Sequence, residues 1–161
     1  ILYLRFINQN KNEGEDVKEL KKECAEEIEN GKIVFLEPIL GGITEEIEST
    51  IDEFDVGLVI LDVHFHLVYR MCSPNRLGTY LHSGLAILHN GSSFVTQIVA
   101  EAKAGICMKD DNEDIIAKVN YLCENPEVLM QMKQSAYKFA KETFNYNNYG
   151  KNLIQMIEEA L

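Results

Sequence analysis

Arg70 and Arg76 are the residues of this sequence best suited to hold an anion. They lie in the stretch 63–100, which contains no aspartate or glutamate, whereas the whole chain carries 26 acidic residues and a net charge of −11. A guanidinium stays charged at physiological pH and offers phosphate oxygens paired N–H donors. Between the two arginines, Ser73-Pro74-Asn75-Arg76 has the form of a helix start. Ser73 is expected as the N-cap and Pro74 at the first helical position, where the missing N–H of proline is no loss. The N–H groups that follow then lie unpaired at the positive end of the helix dipole and can cradle a phosphate. Two plainer readings stand beside this one. Ser-Pro opens many helices that bind nothing, and buried strands and helices carry few acids wherever they occur.

The same stretch holds all four histidines, His64, His66, His82 and His89. His64 and His66 could share a metal if both fell on one face of an extended segment, with Asp62 the nearest further ligand. Either could instead act as a base or a donor to substrate, or be a loop histidine with no such role. Asp62 follows an apolar run, where a catalytic carboxylate or a solvated strand end would stand. The cysteines, Cys24, Cys72, Cys107 and Cys123, form no Cys-x-x-Cys pair and no zinc spacing, and no metal site is expected. Cys24, Cys107 and Cys123 have apolar neighbours and are expected as small core residues. Cys72 falls in a loop and lacks an evident partner base. Neither a Gly-x-Gly-x-x-Gly fingerprint nor a P-loop occurs. Phosphate binding, if present, must therefore come from a helix terminus and side chains.

Composition sets the frame for these residues. The 161 residues, 46% hydrophobic and 25% charged, fit one globular domain, expected to span 1–161. The acidic balance speaks against nucleic acid or an anionic membrane surface as the partner. No apolar run reaches the roughly 18 residues that cross a bilayer. Ile1–Asn8 does not read as a leader, and unpaired cysteines suit a cytoplasmic compartment. The first residue is Ile1 rather than methionine, so a piece of a longer chain is expected.

Hydrophobic periodicity places these residues on elements. Apolar runs at Ile1–Phe6, Ile33–Leu36, Val56–Leu61, Leu85–Leu88 and Ile106–Met108 read as strands. Helical spacing joins Val17, Leu20, Cys24 and Ile28, with Gly31 as the terminating glycine, and Ile43, Ile47, Ile51 and Phe54, with Thr44 at the start. Further helices are expected at Leu77–Ser83, opening near Pro74; at Phe94–Ala104, ended by Gly105; from Asn112 or Glu113; from Pro126; and over Tyr149–Leu161. Uniformly apolar strands alternating with helices indicate a parallel sheet covered on both faces. The expected fold is α/β, a doubly wound, mainly parallel Rossmann-like sheet with extra C-terminal helices. Ligands bind such sheets beyond the carboxyl ends of the strands, which makes 7–16, 37–44, 62–75, 89–94 and 109–113 the candidate loops.

The run Asp55-Val56-Gly57-Leu58-Val59-Ile60-Leu61, followed by Ser73-Pro74-Asn75-Arg76-Leu77-Gly78-Thr79-Tyr80-Leu81-His82-Ser83-Gly84-Leu85-Ala86-Ile87, resembles the C-terminal, donor-binding domain of retaining GT-B glycosyltransferases of the group 1 (family four) type. The looser similarity extends over the whole chain. The resemblance implies a Rossmann-like fold and a nucleotide-diphosphate sugar as donor substrate, with no other cofactor. It implies that Ser73, Pro74, Asn75 and Arg76 hold the diphosphate, in agreement with the reading of Arg70 and Arg76 above, and that the backbone at Pro38, Ile39 and Leu40 meets the nucleotide base. Thr79 stands where the family usually carries the second glutamate of its E-x7-E motif, which bonds the ribose, and Met71 stands at the first. Ile1–Phe6 matches the second strand of that domain without its glycines. The first strand and the N-terminal acceptor domain, which in this family brings the glycan or lipid-linked acceptor and any membrane contact, are expected outside these residues. The 161-residue piece alone is therefore expected to be inactive, in keeping with a role in polysaccharide biosynthesis only as part of a longer chain. The alternative is a non-catalytic Rossmann-like nucleotide-binding or interaction module, which the threonine and the missing glycines favour.

Overall fold

The computed structural model describes residues 2–8, 15–40, 51–61, 67–109 and 111–160. The chain forms two compact units, Ile1–Ile47 and Glu48–Leu161. The first is a β-α-β unit: β1 (Leu2–Asn8), α1 (Glu15–Glu23), α2 (Ala25–Glu29) and β2 (Ile33–Leu40), with β1 and β2 parallel. The single helix expected over Val17–Ile28 is broken at Cys24 into α1 and α2. Gly31, at φ +72°, ends α2. It allows the Gly31 N–H to reach the Ile28 carbonyl (3.1 Å) and the Lys32 N–H to reach that of Glu27 (2.8 Å), the paired bonds that use up a helix's last carbonyls.

Pro38 does not end β2, as its lack of an N–H would predict. Arg5 pairs with Leu36 and Ile7 with Ile39, so Phe6 faces two residues, Glu37 and Pro38. This bulge takes proline out of the hydrogen-bonded ladder, and the strand runs on to Leu40. Pro38, Ile39 and Leu40 are thus strand residues and not the loop residues expected from the sequence. The helix expected around Thr44, Ile43 and Ile47, and the residues Asp62, His64 and His66, lie outside the described residues.

The second unit holds a parallel sheet in the order β3 (Val56–Val59), β4 (Ala86–His89), β5 (Gly105–Cys107). Two helices, α3 (Leu67–Met71) and α4 (Asn75–His82), lie between β3 and β4, and α5 (Ser93–Ala102) joins β4 to β5. Then follow α6 (Asn112–Glu124), α7 (Pro126–Glu142) and α8 (Tyr146–Ala160). This is the Rossmann-like parallel α/β arrangement that the apolar runs imply, with the extra C-terminal helices.

Adjacent residues of β4 point to opposite faces, and both faces are covered. Ile87 belongs to a core with Val59, Leu61, Leu77, Leu81, Val95, Val99, Ala136 and Ala140. Leu88 belongs to a second, with Met108 and Leu122 and with Val119, Leu129 and Met132 against it. Each large side chain buried this way contributes about 1.5–3 kcal/mol. β3 departs from the expectation of a strand covered on both faces. Val59 and Leu61 are buried, but Leu58 and Ile60 are 41% and 43% exposed. Three cysteines expected in the core depart as well: Cys107 and Cys123 are exposed and Cys24 is half-buried, while Cys72, half-buried, lies in a loop as expected. Cys107 ends β5, the outer strand of its sheet, and burial together with the Asp114 charge raises its thiol pKa.

The turn from α5 into β5 also differs from the sequence reading. The left-handed residue that ends α5 is Lys103 (φ +52°), with the Ala104 N–H bonded to the Val99 carbonyl at 3.1 Å. Gly105 lies inside β5, where a Cβ would collide with the Ile87 carbonyl of β4. The glycine is needed for that close approach, so the helix must turn off earlier, at a residue poorly suited to the left-handed region.

Candidate functional site

In the second unit the carboxyl ends of β3 and β4 share one rim, and the chain leaves each of them toward a helix start. The first is the start of α4. Pro74 has φ −70° and ψ 135°, an extended conformation, which makes it the N-cap, and no side chain caps the helix. The expectation of Ser73 as N-cap with Pro74 inside the helix is thereby corrected. A proline ring fixes φ near its helical value but leaves ψ free, and here ψ keeps the residue outside. The Leu77 N–H turns back to the Pro74 carbonyl at 2.9 Å, so Asn75 and Arg76 contribute the outward N–H groups of the first turn. Ser73, Asn75 and Arg76 are exposed and Pro74 is half-buried.

Arg76 makes no ion pair among the described residues. Its charge is felt by Tyr80, one turn on, where it opposes the burial that raises the phenol pKa. Thr79 is half-buried, and its hydroxyl donates back to the Asn75 carbonyl at 3.4 Å, which leaves only its lone pairs for a ligand. Met71, which the resemblance sets at the first glutamate's position, is exposed. His82 sits at the far end of α4 with Nδ1 2.9 Å from the Gly78 carbonyl. It belongs to the helix terminus and not to the rim.

The second helix start is that of α5, reached through His89-Asn90-Gly91-Ser92. His89 is 2% exposed, and burial lowers its pKa, which favours the neutral ring. Its Nδ1 accepts the Gly91 N–H at 3.3 Å, and Gly91 adopts φ +92°. Asn90, 8% exposed, donates to the Leu61 carbonyl (2.7 Å) and accepts the Leu61 N–H (2.9 Å). This side-chain amide continues the β3–β4 ladder one step past the Val59–His89 pair. Ser92 and Ser93 donate across to α3 and the residue after it: Ser93 Oγ to the Arg70 carbonyl at 2.6 Å, and Ser92 Oγ to the carbonyls of Cys72 at 3.3 Å and Arg70 at 3.4 Å.

Arg70 lies on α3, and Ser73–Thr79 run from the turn after it into α4, all in the second unit, whereas Pro38, Ile39 and Leu40 lie on β2 of the first. Asn90, Ser92 and Ser93 were missed as individual residues. The sequence signal was a polar Asn-Gly-Ser-Ser run directly after a buried strand, inside a candidate strand-end loop. Among the described residues no group of three or more His, Cys, Asp or Glu side chains could hold a metal. None of the described helices is long and apolar enough to cross a membrane.

No protein-family model and no curated protein matches the chain significantly by sequence. Solved structures do match its fold. Sucrose-phosphate synthase from Thermosynechococcus elongatus superposes with a TM-score of 0.73 at 11% identity, over 99% of this chain and 38% of that one. WaaG, a glycosyltransferase involved in lipopolysaccharide biosynthesis, superposes with a TM-score of 0.65 at 12% identity, over 89% of this chain and 34% of that one. The chain therefore has the Rossmann-like fold of a GT-B glycosyltransferase domain and spans little more than a third of each of these two proteins.

Proposed function

We propose that the chain is the donor-binding domain of a glycosyltransferase that moves a sugar from a nucleotide-diphosphate sugar to a glycan or lipid-linked acceptor. The observation that carries this reading is the start of α4. α4 begins uncapped beyond the carboxyl ends of a parallel sheet, with the exposed Arg76 as its second residue, inside a stretch free of carboxylates. Charge develops on the leaving nucleotide diphosphate as the glycosidic bond breaks. The Asn75 and Arg76 N–H groups, the α4 dipole and the Arg76 side chain would stabilise it without having to reorganise. Arg70 is proposed to assist, and Thr79 to contribute an acceptor toward the ribose in place of the glutamate pair's second member. Pro38, Ile39 and Leu40 are proposed for the base, by their backbone. The acceptor, with any membrane contact, belongs to residues beyond this chain. The full protein is proposed to serve polysaccharide biosynthesis in the cytoplasm, and the 161 residues alone are proposed to have no transfer activity.

Calorimetric titration with UDP, GDP and their sugar conjugates tests the reading, on the wild type and on Arg76→Ala. Binding that weakens at least about tenfold in the variant supports it, since charge-assisted bonds to an anion are worth about 1.5–3 kcal/mol. A second reading, a non-catalytic module descended from such a domain, is favoured by the Thr79 hydroxyl bonding into its own helix. As an interaction module it predicts no nucleotide binding by this chain or by a longer one that contains it; as a nucleotide-binding module it predicts binding without sugar transfer.

A further inference from the structure

We infer that Ser92 and Ser93, with Asn90, are positioning residues that set the direction in which α4 presents its first N–H groups; this rests on the reading of that helix start as the diphosphate site. α3 has five residues, none of them buried, and no side chain caps α4. Both ends of the connection from β3 to α4 are tied to a single short segment. Asn90 grips Leu61, where β3 hands over to the connection, through both its backbone N–H and its carbonyl. Ser93 and Ser92 take the Arg70 and Cys72 carbonyls, at the other end, just before Ser73 and Pro74.

The direction of the serine hydroxyls is the telling feature. Ser92 is the N-cap of α5, a position where a serine ordinarily accepts an N–H of its own first turn. It makes no such bond. It is 1% exposed, and its hydroxyl is spent on α3 and the following turn. Carbonyls at a helix C-terminus lack intrahelical partners, and α5 supplies them with donors. The left-handed Gly91 provides the turn that allows Asn90 to face β3 while Ser92 and Ser93 face α3. A shift of the clamp would move Arg70 and the 73–76 corner relative to the strand ends.

Ser93 is exposed, so Ser93→Ala should fold. Ser93→Thr keeps the hydroxyl. The test is amide hydrogen exchange on the full chain, read at the hydrogen-bonded amides within 70–77, Leu77 among them, and, as a control, within α7, together with UDP and GDP titration. In Ser93→Ala, exchange at 70–77 should rise about fivefold, the factor one net hydrogen bond of about 1 kcal/mol represents. Exchange in α7 should stay unchanged and nucleotide affinity should fall by a similar factor. Ser93→Thr should restore both. Unchanged exchange at 70–77, or an equal rise in α7, overturns the clamp even if the wild type binds nucleotide. A wild type that binds neither nucleotide overturns the diphosphate reading and the positioning role with it, whatever the exchange shows.

Discussion

The ring of Tyr80, on α4, occupies the space that a side chain at Gly57, on β3, would need: a Cβ at 57 would collide with the ring. This is the physical reason for glycine in the Asp55-Val56-Gly57-Leu58 run, and it couples β3 to the helix whose start forms the candidate site. Gly57→Ala should force the ring and α4 outward and cost about 1–3 kcal/mol, as overpacking does. Thermal melting reads the loss. In the Tyr80→Ala background, where the ring is gone, the same substitution should cost much less, and an equal cost would show that the contact is not what makes glycine necessary here.

Lys103 and Gly105 should respond in opposite senses. Lys103 holds φ +52° at the end of α5, so Lys103→Gly should relieve about 1–2 kcal/mol of left-handed strain, less the about 0.4–1 kcal/mol that glycine's extra freedom in the unfolded chain costs, for a small net stabilisation. Gly105→Ala would push a methyl into the Ile87 carbonyl and should destabilise by more than about 2 kcal/mol, since backbone cannot yield as a side chain can. Urea denaturation of the two variants checks the pair. A destabilised Lys103→Gly would mean that the lysine side chain contributes something its conformation does not reveal.

The pH dependence of stability should carry the mark of His89. Its buried ring has a lowered pKa, so the unfolded chain takes up a proton near the ordinary value of about 6.5 while the folded chain does not. The unfolded state then binds more protons, and stability falls as pH drops from about 6.5 toward the folded pKa, by at most about 1.4 kcal/mol per pH unit. Above that window His89 has no effect. Denaturation at several pH values should show a shallower slope for His89→Gln, and parallel curves for the two proteins would refute the assignment.

The parallel α/β fold was legible because its central strand, Ala86–His89, is buried throughout and so appears as an unbroken apolar run. The packing face of α7 was legible too: Ala136 and Ala140 are buried and Leu129 and Met132 half-buried, at helical spacing. β3 misled because Leu58 and Ile60 are exposed yet as apolar as their buried neighbours. Pro38 misled because a bulge absorbed the missing N–H. Gly105 misled because it serves a strand contact and not a helix end. At the candidate site the Ser73–Arg76 corner could be read from residue types, one position out of register. The roles of Ser92 and Ser93 could not. A serine at a helix start looks like a cap, and only the tertiary arrangement decides whether its hydroxyl serves its own helix or another.

Arg76 is exposed, so Arg76→Ala should leave stability within about 0.5 kcal/mol of the wild type. Its effect on nucleotide affinity should shrink as salt is raised, because an exposed charge is screened over roughly 8–10 Å at 0.10–0.15 M salt. Melting curves and titrations at low and high salt check both. A large loss of stability would mark Arg76 as a structural residue and remove it from the site.

Amide chemical shifts recorded while a nucleoside diphosphate is added to the chain test the central claim most directly, because the groups said to hold the phosphates are backbone N–H groups. The largest shifts should fall on Asn75 and Arg76, with smaller ones along 70–79. Saturable shifts centred on another part of the chain, or none up to millimolar ligand, would contradict a diphosphate site at the start of α4.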